Sequence, residues 1–275
     1  MKGMRKILTS VLSAIALLII GVVVFVDLFA DRAVRIGIET AATKALNVGV
    51  DVNDVDLTLT KGKLVMRELV VNNPSGYQHK HMLDIERTKI YIETRSLLSD
   101  EVKIKSIKME GVEVVLEQKG LSNNLQDVLK SIKQEPEEEA GGKKLHIDTL
   151  EIYGIKVKVK LLPVPGKVDT MTFELNPIKM TDLGSDKKLN TAALTAKIFV
   201  AIVGGVVEQG VGKLPEQMLK GMSSTIGMTL DLGMGIIEGG KSITEGILKG
   251  TGDAGKGVIK GIGGILNSGK DKNKE

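Results

Sequence analysis

Cysteine and tryptophan are absent from this 275-residue chain, and the aromatic residues make up only 3% of it. Without cysteine the chain has no disulfide, thiolate metal site, iron–sulfur cluster or cysteine nucleophile. Scarce aromatics argue against a protein that stacks nucleic-acid bases and against most sugar-binding clefts. The net charge of +4 comes from intermixed Lys and Glu rather than a dense basic patch, so nucleic acid is not an expected partner.

The motifs of common catalytic and cofactor sites are also missing. The sequence has no P-loop, no G-x-S-x-G, no H-E-x-x-H and no dinucleotide fingerprint. His79 and His81 flank Lys80 in a polar loop without a nearby carboxylate pair, so we expect them to be solvated rather than metal-bound. We therefore expect no catalytic residue, no metal and no cofactor, and an enzyme is only a minor alternative.

One long uncharged segment lies near the N-terminus, from Ile7 to Val26. About 20 helical residues span the hydrocarbon core of a bilayer. Because Lys2, Arg5 and Lys6 precede it, the positive-inside rule predicts a cytoplasmic N-terminus and an exported body. The alternative is a cleaved signal peptide, although the segment is longer than a usual signal core and a poor cleavage site follows it. The predicted membrane anchor contains Ile7, Leu12, Leu17, Leu18, Ile20, Val24 and Val26.

From Val48 onward the hydrophobic period changes to two, which predicts amphipathic β-strands. We expect about nine strands joined mostly by tight turns, and hence a meandering antiparallel sheet. The pattern I-x-x-(I/L)-x-x-x-G-(V/I)-x-V occurs twice, at residues 104–114 and 147–157. We expect Gly111 and Gly154 to turn the chain, so that each V-x-V segment returns as a separate strand.

One face of the predicted sheet is almost continuously Val, Ile and Leu, and it must be kept dry. The sheet could fold over on itself, helices could cover it, or an external apolar ligand could. An aliphatic groove without aromatics suits acyl chains, whereas the plain alternative is a closed β-sandwich core. The candidate groove residues are Val50, Val52, Leu57, Leu59, Leu64, Met66, Ile90, Ile92, Ile104, Val112, Val114, Leu116, Ile152, Val157 and Val159.

The order of anchor, alternating strands and an N-P-x-G segment (Asn73 to Gly76) resembles the N-terminal region of the AsmA family. The strand pattern from Val50 to Leu59 and the segment from Ile104 to Val114 share this resemblance. It implies a bacterial inner-membrane protein with a periplasmic, U-shaped, half-open β body, related to the chorein end of eukaryotic bridge-like lipid transporters. It also implies that the apolar inside carries phospholipid acyl chains, although about nine strands form a short bridge.

The C-terminal third is rich in glycine, and past Gly221 it has an eleven-residue repeat. Eleven residues make about three helical turns, so the repeat places apolar residues along one line. This amphipathic stripe contains Leu232, Ile236, Ile243, Ile247, Val258 and Ile265. It suits docking on lipid or on the sheet, and the alternatives are a flexible tail or a helix packed on its own protein. The uncharged segment 198–207 is too short to span a bilayer and indicates a core or interfacial helix.

Together these patterns predict an α+β protein in six segments. They are a cytoplasmic stub and anchor (1–30), a helix with a first β section (31–134), an acidic linker (135–143), a second β section (144–189), a Gly-rich helical region (190–268) and a disordered tail (269–275). The function expected is binding of lipid acyl chains and a part in lipid transport or envelope maintenance. The alternative is a non-transporting envelope scaffold or binding module. The expected partners are the membrane, phospholipid or another lipid, and other envelope proteins.

Overall fold

A computed structural model describes residues 30–132, 143–160, 170–185 and 189–231, without the side chains of residues 170 and 228–231. The predicted anchor residues, the acidic linker up to residue 142 and the whole amphipathic stripe lie outside these ranges. The segment boundaries predicted above therefore stay predictions.

The described chain contains four helices and eight strands. Helix α1 covers residues 30–46, and two short 3-10 helices, Leu59–Lys61 and Thr94–Leu98, connect strands. The other elements, in chain order, are β1 (Val50–Thr58), β2 (Lys63–Asn72), β3 (His81–Ile92), β4 (Glu101–Lys119), β5 (Ser122–Asn123), α2 (Asn124–Ser131), β6 (Lys144–Lys160), β7 (Thr170–Leu175), β8 (Ile178–Leu183), α3 (Thr191–Gln209) and α4 (Glu216–Asp231).

The strands form one open, mixed sheet in the order β1-β2-β3-β4-β6-β7, so the α+β prediction is confirmed. The prediction of a wholly antiparallel meander is wrong, because β4 and β6 pair in parallel. The crossover between them contains α2 and is long enough to bring the chain back to the same end of the sheet. Strands β7 and β8 pair with consecutive stretches of β6 in one continuous register, interrupted at Asn176 and Pro177.

Gly111 and Gly154 do not turn the chain, which corrects the prediction of separate returning strands. Each lies inside a long strand, β4 or β6, with φ of +67° or +62°. Glycine accommodates this left-handed conformation without the Cβ clash that other residues meet. The parallel register places the two glycines beside each other, since Glu110 pairs with Tyr153 and Val112 with Ile155.

The two glycines belong to a crease that crosses the sheet. In each of β1, β2, β3, β4 and β6, two successive residues at the crease face outward. The alternation of inward and outward side chains therefore shifts by one residue where each strand crosses it. The strands keep the same register on both sides of the crease. The crease contains the pairs Asn53-Asp54, Arg67-Glu68, Glu86-Arg87, Glu110-Gly111 and Tyr153-Gly154.

Helices cover most of the inner face of the sheet. Covering by helices was one of the three possibilities that the sequence left open for this face. Helix α3 lies close to the last strands, because Gly205 leaves the space that Leu175 and Ile178 occupy. The described strands form one sheet rather than two stacked sheets, so the core is not a closed β-sandwich. The apolar residues of α2, Leu125, Val128, Leu129 and Ile132, are buried in the same core, as their shared helical face predicts.

Helix α1 runs along the outer edge of β1 and hydrogen-bonds it through side chains. Glu39 accepts the Val52 amide (2.9 Å), Thr43 accepts the Val50 amide (3.0 Å) and Asp31 accepts the Leu57 amide (2.8 Å). An exposed strand edge is a template for pairing with another chain. This helix therefore satisfies the β1 edge and holds its own first residues beside the end of that strand.

The crease generates a stability prediction. Gly111→Ala should lower the free energy of unfolding by about 1–2 kcal/mol, the usual cost of a left-handed non-glycine residue. A Cβ there would also lie 2.8 Å from the Cβ of Glu86. Glu68 already has φ of +52°, so Glu68→Gly is the matched control and should leave stability unchanged or raised. Urea unfolding of the full chain in detergent measures both, and equal stability of Gly111→Ala and wild type would contradict this account.

Candidate functional site

An apolar cavity of about 110 Å³ lies between α1, α3 and the first four strands. Helix α1 contributes Ile38, Ala42 and Leu46, and α3 contributes Leu194 and Phe199, among others. The strand residues are inner-face side chains from both sides of the crease: Val50, Met66, Leu69, Val71, Leu83, Ile85, Thr88, Ile90, Ile107 and Met109. An engineered aliphatic cavity of about 150 Å³ stays dry and binds small hydrocarbons, so this space suits an apolar guest.

Thr88 is the one polar member of its cross-strand row, in which it lies between Met66 and Met109. Its side chain is 2% exposed and lines the cavity. The hydroxyl has no hydrogen-bond partner among the described residues. A buried unsatisfied hydroxyl costs free energy. The other hydroxyls of the lining belong to Thr191 and Thr195 of α3, and the Thr195 hydroxyl donates to the Thr191 carbonyl. Among the described residues, Thr88 is thus the buried lining hydroxyl that a guest with a hydrogen-bonding oxygen would satisfy.

The cavity continues as a strip of half-exposed apolar side chains toward one end of the sheet. This strip contains Leu57, Ile90, Ile92 and Leu97, all of which pack only partly against the core. It leads to the end where α1 begins, formed by residues 59–63, 93–101 and 143–144, which we name the anchor end. The opposite end, where β4 finishes at Lys119, is named the distal end.

The predicted groove residues divide into three groups. Val50, Met66 and Ile90 line the cavity, and Leu57, Leu59 and Ile92 are half-exposed toward the anchor end. The others are buried in the core: Val52, Leu64, Ile104, Val112, Val114, Leu116, Ile152, Val157 and Val159. Contact of any of them with lipid stays a prediction.

Sequence reasoning missed the helical side of the cavity and Thr88. The helical residues come together with the strands only in the tertiary fold. Thr88 did carry a signal, because it occupies an inner position in the series Leu83, Ile85, Thr88 and Ile90. A polar residue at an inner position of an otherwise apolar strand is a candidate for contact with a ligand.

A polar cluster at the distal end fixes the loop that contains the N-P-x-G segment. Asn73 donates to the carbonyl of His79 (2.8 Å) and accepts from the amide of Asn124 (2.8 Å), which is fully buried. Glu117 accepts the backbone amides of Gln78 (2.6 Å) and His79 (3.1 Å). The His79 ring, whose side chain is 38% exposed, also lies 2.9 Å from the Glu117 carboxylate.

Glu117 is 7% exposed, and its surroundings change its acidity. Burial alone raises the pKa of this carboxyl, but the amides of Gln78 and His79 and the His79 ring together hold it below its usual range. In the described part of the chain no cluster of three or more His, Cys, Asp or Glu side chains is arranged to hold a metal ion. The arrangement of this cluster is that of a loop anchor, which sets the shape of the distal end.

The cavity, the strand order and the N-terminal segment can be compared with known proteins. The sequence model of the AsmA family matches residues 1–197. This chain belongs to the AsmA family. The match covers the predicted anchor, α1, all eight described strands and α3 as far as residue 197, so it includes the cavity lining except Ile198 and Phe199. No curated protein matches the sequence. AsmA family membership suggests an envelope-associated protein.

Helix α3 is the one described helix that is long and apolar enough to cross a membrane by length and composition. In this AsmA family member its most apolar stretch is 67% buried inside the fold. Phe199, Ile202, Val203 and Val206 are at most 2% exposed against the sheet and the other helices. The helix therefore occupies the position of a core helix, one of the two alternatives that its sequence indicates.

Thr88 generates a prediction that separates a ligand site from a packing defect. Thr88→Val should raise the free energy of unfolding of the ligand-free protein by about 1 kcal/mol, because it removes an unsatisfied buried hydroxyl at constant shape. The same variant should bind an acyl ester more weakly than wild type. The matched control is Thr195→Val, since the Thr195 hydroxyl already donates to the Thr191 carbonyl (2.9 Å). Urea unfolding and lipid titration check both effects, and weaker binding by both variants alike would contradict a specific role for Thr88.

Glu117 generates a pH prediction. Its pKa is lowered in the folded state, so its contribution is present above the unfolded pKa and is lost as the pH falls through the folded value. Glu117→Gln should lower the free energy of unfolding by about 1.5–3 kcal/mol at neutral pH, the range for hydrogen bonds to a charged group. The difference should start to shrink as the pH falls below about 4.3, the ordinary pKa of glutamate, and should vanish only below the lowered pKa of the folded state. Urea unfolding across pH measures it, with half-exposed Glu113→Gln as control, and a pH-independent difference would contradict the assignment.

Proposed function

We propose that this protein is a membrane-anchored, non-catalytic envelope protein that binds a lipid acyl chain in the cavity between α1, α3 and strands β1–β4. In this proposal it contributes to lipid transport or envelope maintenance, with its N-terminus cytoplasmic and its body in the periplasm. The observation that carries the proposal is the aliphatic cavity with one orphan hydroxyl and an apolar strip leading to the anchor end. AsmA family membership supports the envelope setting.

The chemistry of the lining favours an acyl chain over other apolar guests. The strand residues around the cavity are mainly branched aliphatic and Met side chains, and among the described residues Phe199 is the only aromatic one that lines it. Each methylene moved from water into such a site contributes about 0.8 kcal/mol. The Thr88 hydroxyl adds one hydrogen-bonding group, which matches the single carboxyl or ester group at the head of an acyl chain.

The extent of the cavity limits the kind of lipid handling. Beyond it the inner face is occupied by α2, α3 and α4, so the described sheet offers one local site rather than a conduit along its whole length. Transport would then consist of receiving one acyl chain at a time and passing it on. The same filled core is the observation that favours the alternative, a non-transporting scaffold of the envelope.

A photocrosslinking experiment tests the proposal with the full chain in cells. Cells expressing the protein are fed a fatty acid that bears a diazirine, illuminated, and the labelled peptides of the purified protein are mapped. We expect adducts on the anchor and, separately, on strand β3 and the first half of α3. Ala42→Leu should remove the second set, because Ala42 is buried at the cavity wall and a larger side chain fills the space.

The matched control is Ala41→Leu, one position along the same helix and outside the cavity lining. This variant should keep both sets of adducts. Labelling confined to the anchor in the wild type would overturn lipid binding in the cavity and leave the scaffold as the better function. Equal loss of cavity adducts in both variants would show a general disturbance of α1 rather than a filled site.

A further inference from the structure

We propose that the anchor end of the fold is a membrane-docking surface on which Leu98 inserts into the bilayer beside the predicted anchor. The occupant is a lipid surface with anionic headgroups. The proposal rests on the membrane anchor in the proposed function but not on lipid binding in the cavity, and the experiment below separates the two.

Leu98 is a large apolar side chain in an unusual position. It is 94% exposed at the end of the 3-10 helix Thr94–Leu98, whereas its neighbour Leu97 is half-buried against the core. The turn is fixed to strand β4, because Ser96 is buried and its hydroxyl accepts the Lys103 amide (2.8 Å). The exposed leucine is therefore presented by a fixed turn. A single exposed apolar residue is common on protein surfaces. The case for membrane contact therefore depends on where Leu98 lies in the fold.

The position of Leu98 is set by α1, which begins at the same end of the sheet. Asp31 of α1 accepts the amide of Leu57 near the end of β1, and the following turn, Leu59–Lys61, contacts the turn that carries Leu98. In the sequence only three residues lie between Val26, the last of the uncharged segment, and Ala30. Four steps from residue to residue reach at most about 14 Å, so the end of a membrane anchor cannot lie far from this end of the sheet.

The charges around Leu98 suit anionic headgroups. The Lys143 ammonium group lies against the turn, donating to the carbonyls of Leu97 (2.5 Å) and Ser99 (2.9 Å). Cations outnumber acids in the segments that form this end: Lys61, Lys63, Arg95, Lys143 and Lys144 against Glu93, Asp100 and Glu101. Basic groups near a bilayer surface are attracted to anionic lipid within a Debye length.

Docking at this end would also bring the bilayer to the entrance of the cavity. The half-exposed residues Leu57, Ile90, Ile92 and Leu97 connect the cavity with the anchor end. With Leu98 in the bilayer, this strip would face the acyl region rather than water. The surface is therefore placed where an acyl chain would pass between membrane and cavity.

The distal end supplies an internal control. Leu121 is 95% exposed in the turn between β4 and β5, the same residue type with the same exposure at the opposite end of the sheet. That turn lies far from the start of α1, because it follows the last residue of β4, the 19-residue strand that begins at the anchor end. If only the anchor end contacts the membrane, Leu98 should lie in lipid and Leu121 should stay in water.

The absence of cysteine makes the experiment direct, since Leu98→Cys and Leu121→Cys each create one labelling site. Each full-length variant is labelled with an environment-sensitive fluorophore and reconstituted in nanodiscs of phosphatidylethanolamine and phosphatidylglycerol. Lipids with a nitroxide on the acyl chain serve as quenchers. We expect a blue-shifted emission and several-fold more quenching at position 98 than at position 121.

Two charge variants in the Leu98→Cys protein test the electrostatic part. Arg95→Glu combined with Lys61→Glu should reduce the quenching, and so should replacement of phosphatidylglycerol by phosphatidylcholine. Lys156→Glu, an exposed cation in the middle of the outer face, is the control and should leave the quenching unchanged. Equal effects of the two charge changes would overturn the role of the anchor-end cations.

Unquenched, water-like emission at position 98 in a protein that is stably held in the nanodisc would overturn the docking surface and leave the anchor intact. Loss of cavity adducts in cells with quenching at position 98 retained would overturn the acyl-chain site and leave the docking surface. A protein that fails to enter nanodiscs at all would overturn the anchor and, with it, this inference.

Discussion

The rest of this structure depends on the removal from water of one apolar face of a single open sheet. Each described strand except β5 contributes inner-face Val, Ile, Leu or Met side chains. These side chains form cross-strand rows, and the row from Val55 through Met66, Thr88 and Met109 to Ile152 crosses five strands. An open sheet cannot cover such a face by itself, so helices must do so. The helices of this protein do it unevenly. They fill the space under β4, β6, β7 and β8, and leave a cavity under β1–β4.

The crease connects the sheet with the cavity. Because the change of phase lies at one level in all the central strands, the residues on either side of it both point inward, and the cavity is lined from both sides. The left-handed backbone at Gly111 and Gly154 is the local conformation that this change requires in β4 and β6. Backbone geometry in the strands thus shapes a site whose lining is entirely made of side chains.

The two ends of the sheet have different chemistry. The distal end is held by the buried carboxylate of Glu117, the amide of Asn124 and the N-P-x-G loop, all joined by short hydrogen bonds. The anchor end has two short 3-10 turns, exposed cations and an exposed leucine. Helix α1 joins the two ends along the edge of β1, and its side chains satisfy backbone amides of that edge. These contacts give the sheet a fixed polar loop at the distal end and an exposed apolar turn at the anchor end.

The sequence by itself determined the α+β class, the one-sided strands and the AsmA family, because hydrophobic period and short motifs are local properties of the chain. It also contained the repeat at 104–114 and 147–157. In the structure these two segments pair with each other in parallel, residue by residue, as parts of β4 and β6. Interpreting its glycines as turns was wrong because a glycine with positive φ occurs both in turns and inside bent strands, and only the pairing partner distinguishes them. The tertiary structure alone decided which helices cover the sheet, where they leave a cavity, and that Thr88 lies orphaned inside it, since these depend on contacts between segments far apart in the chain.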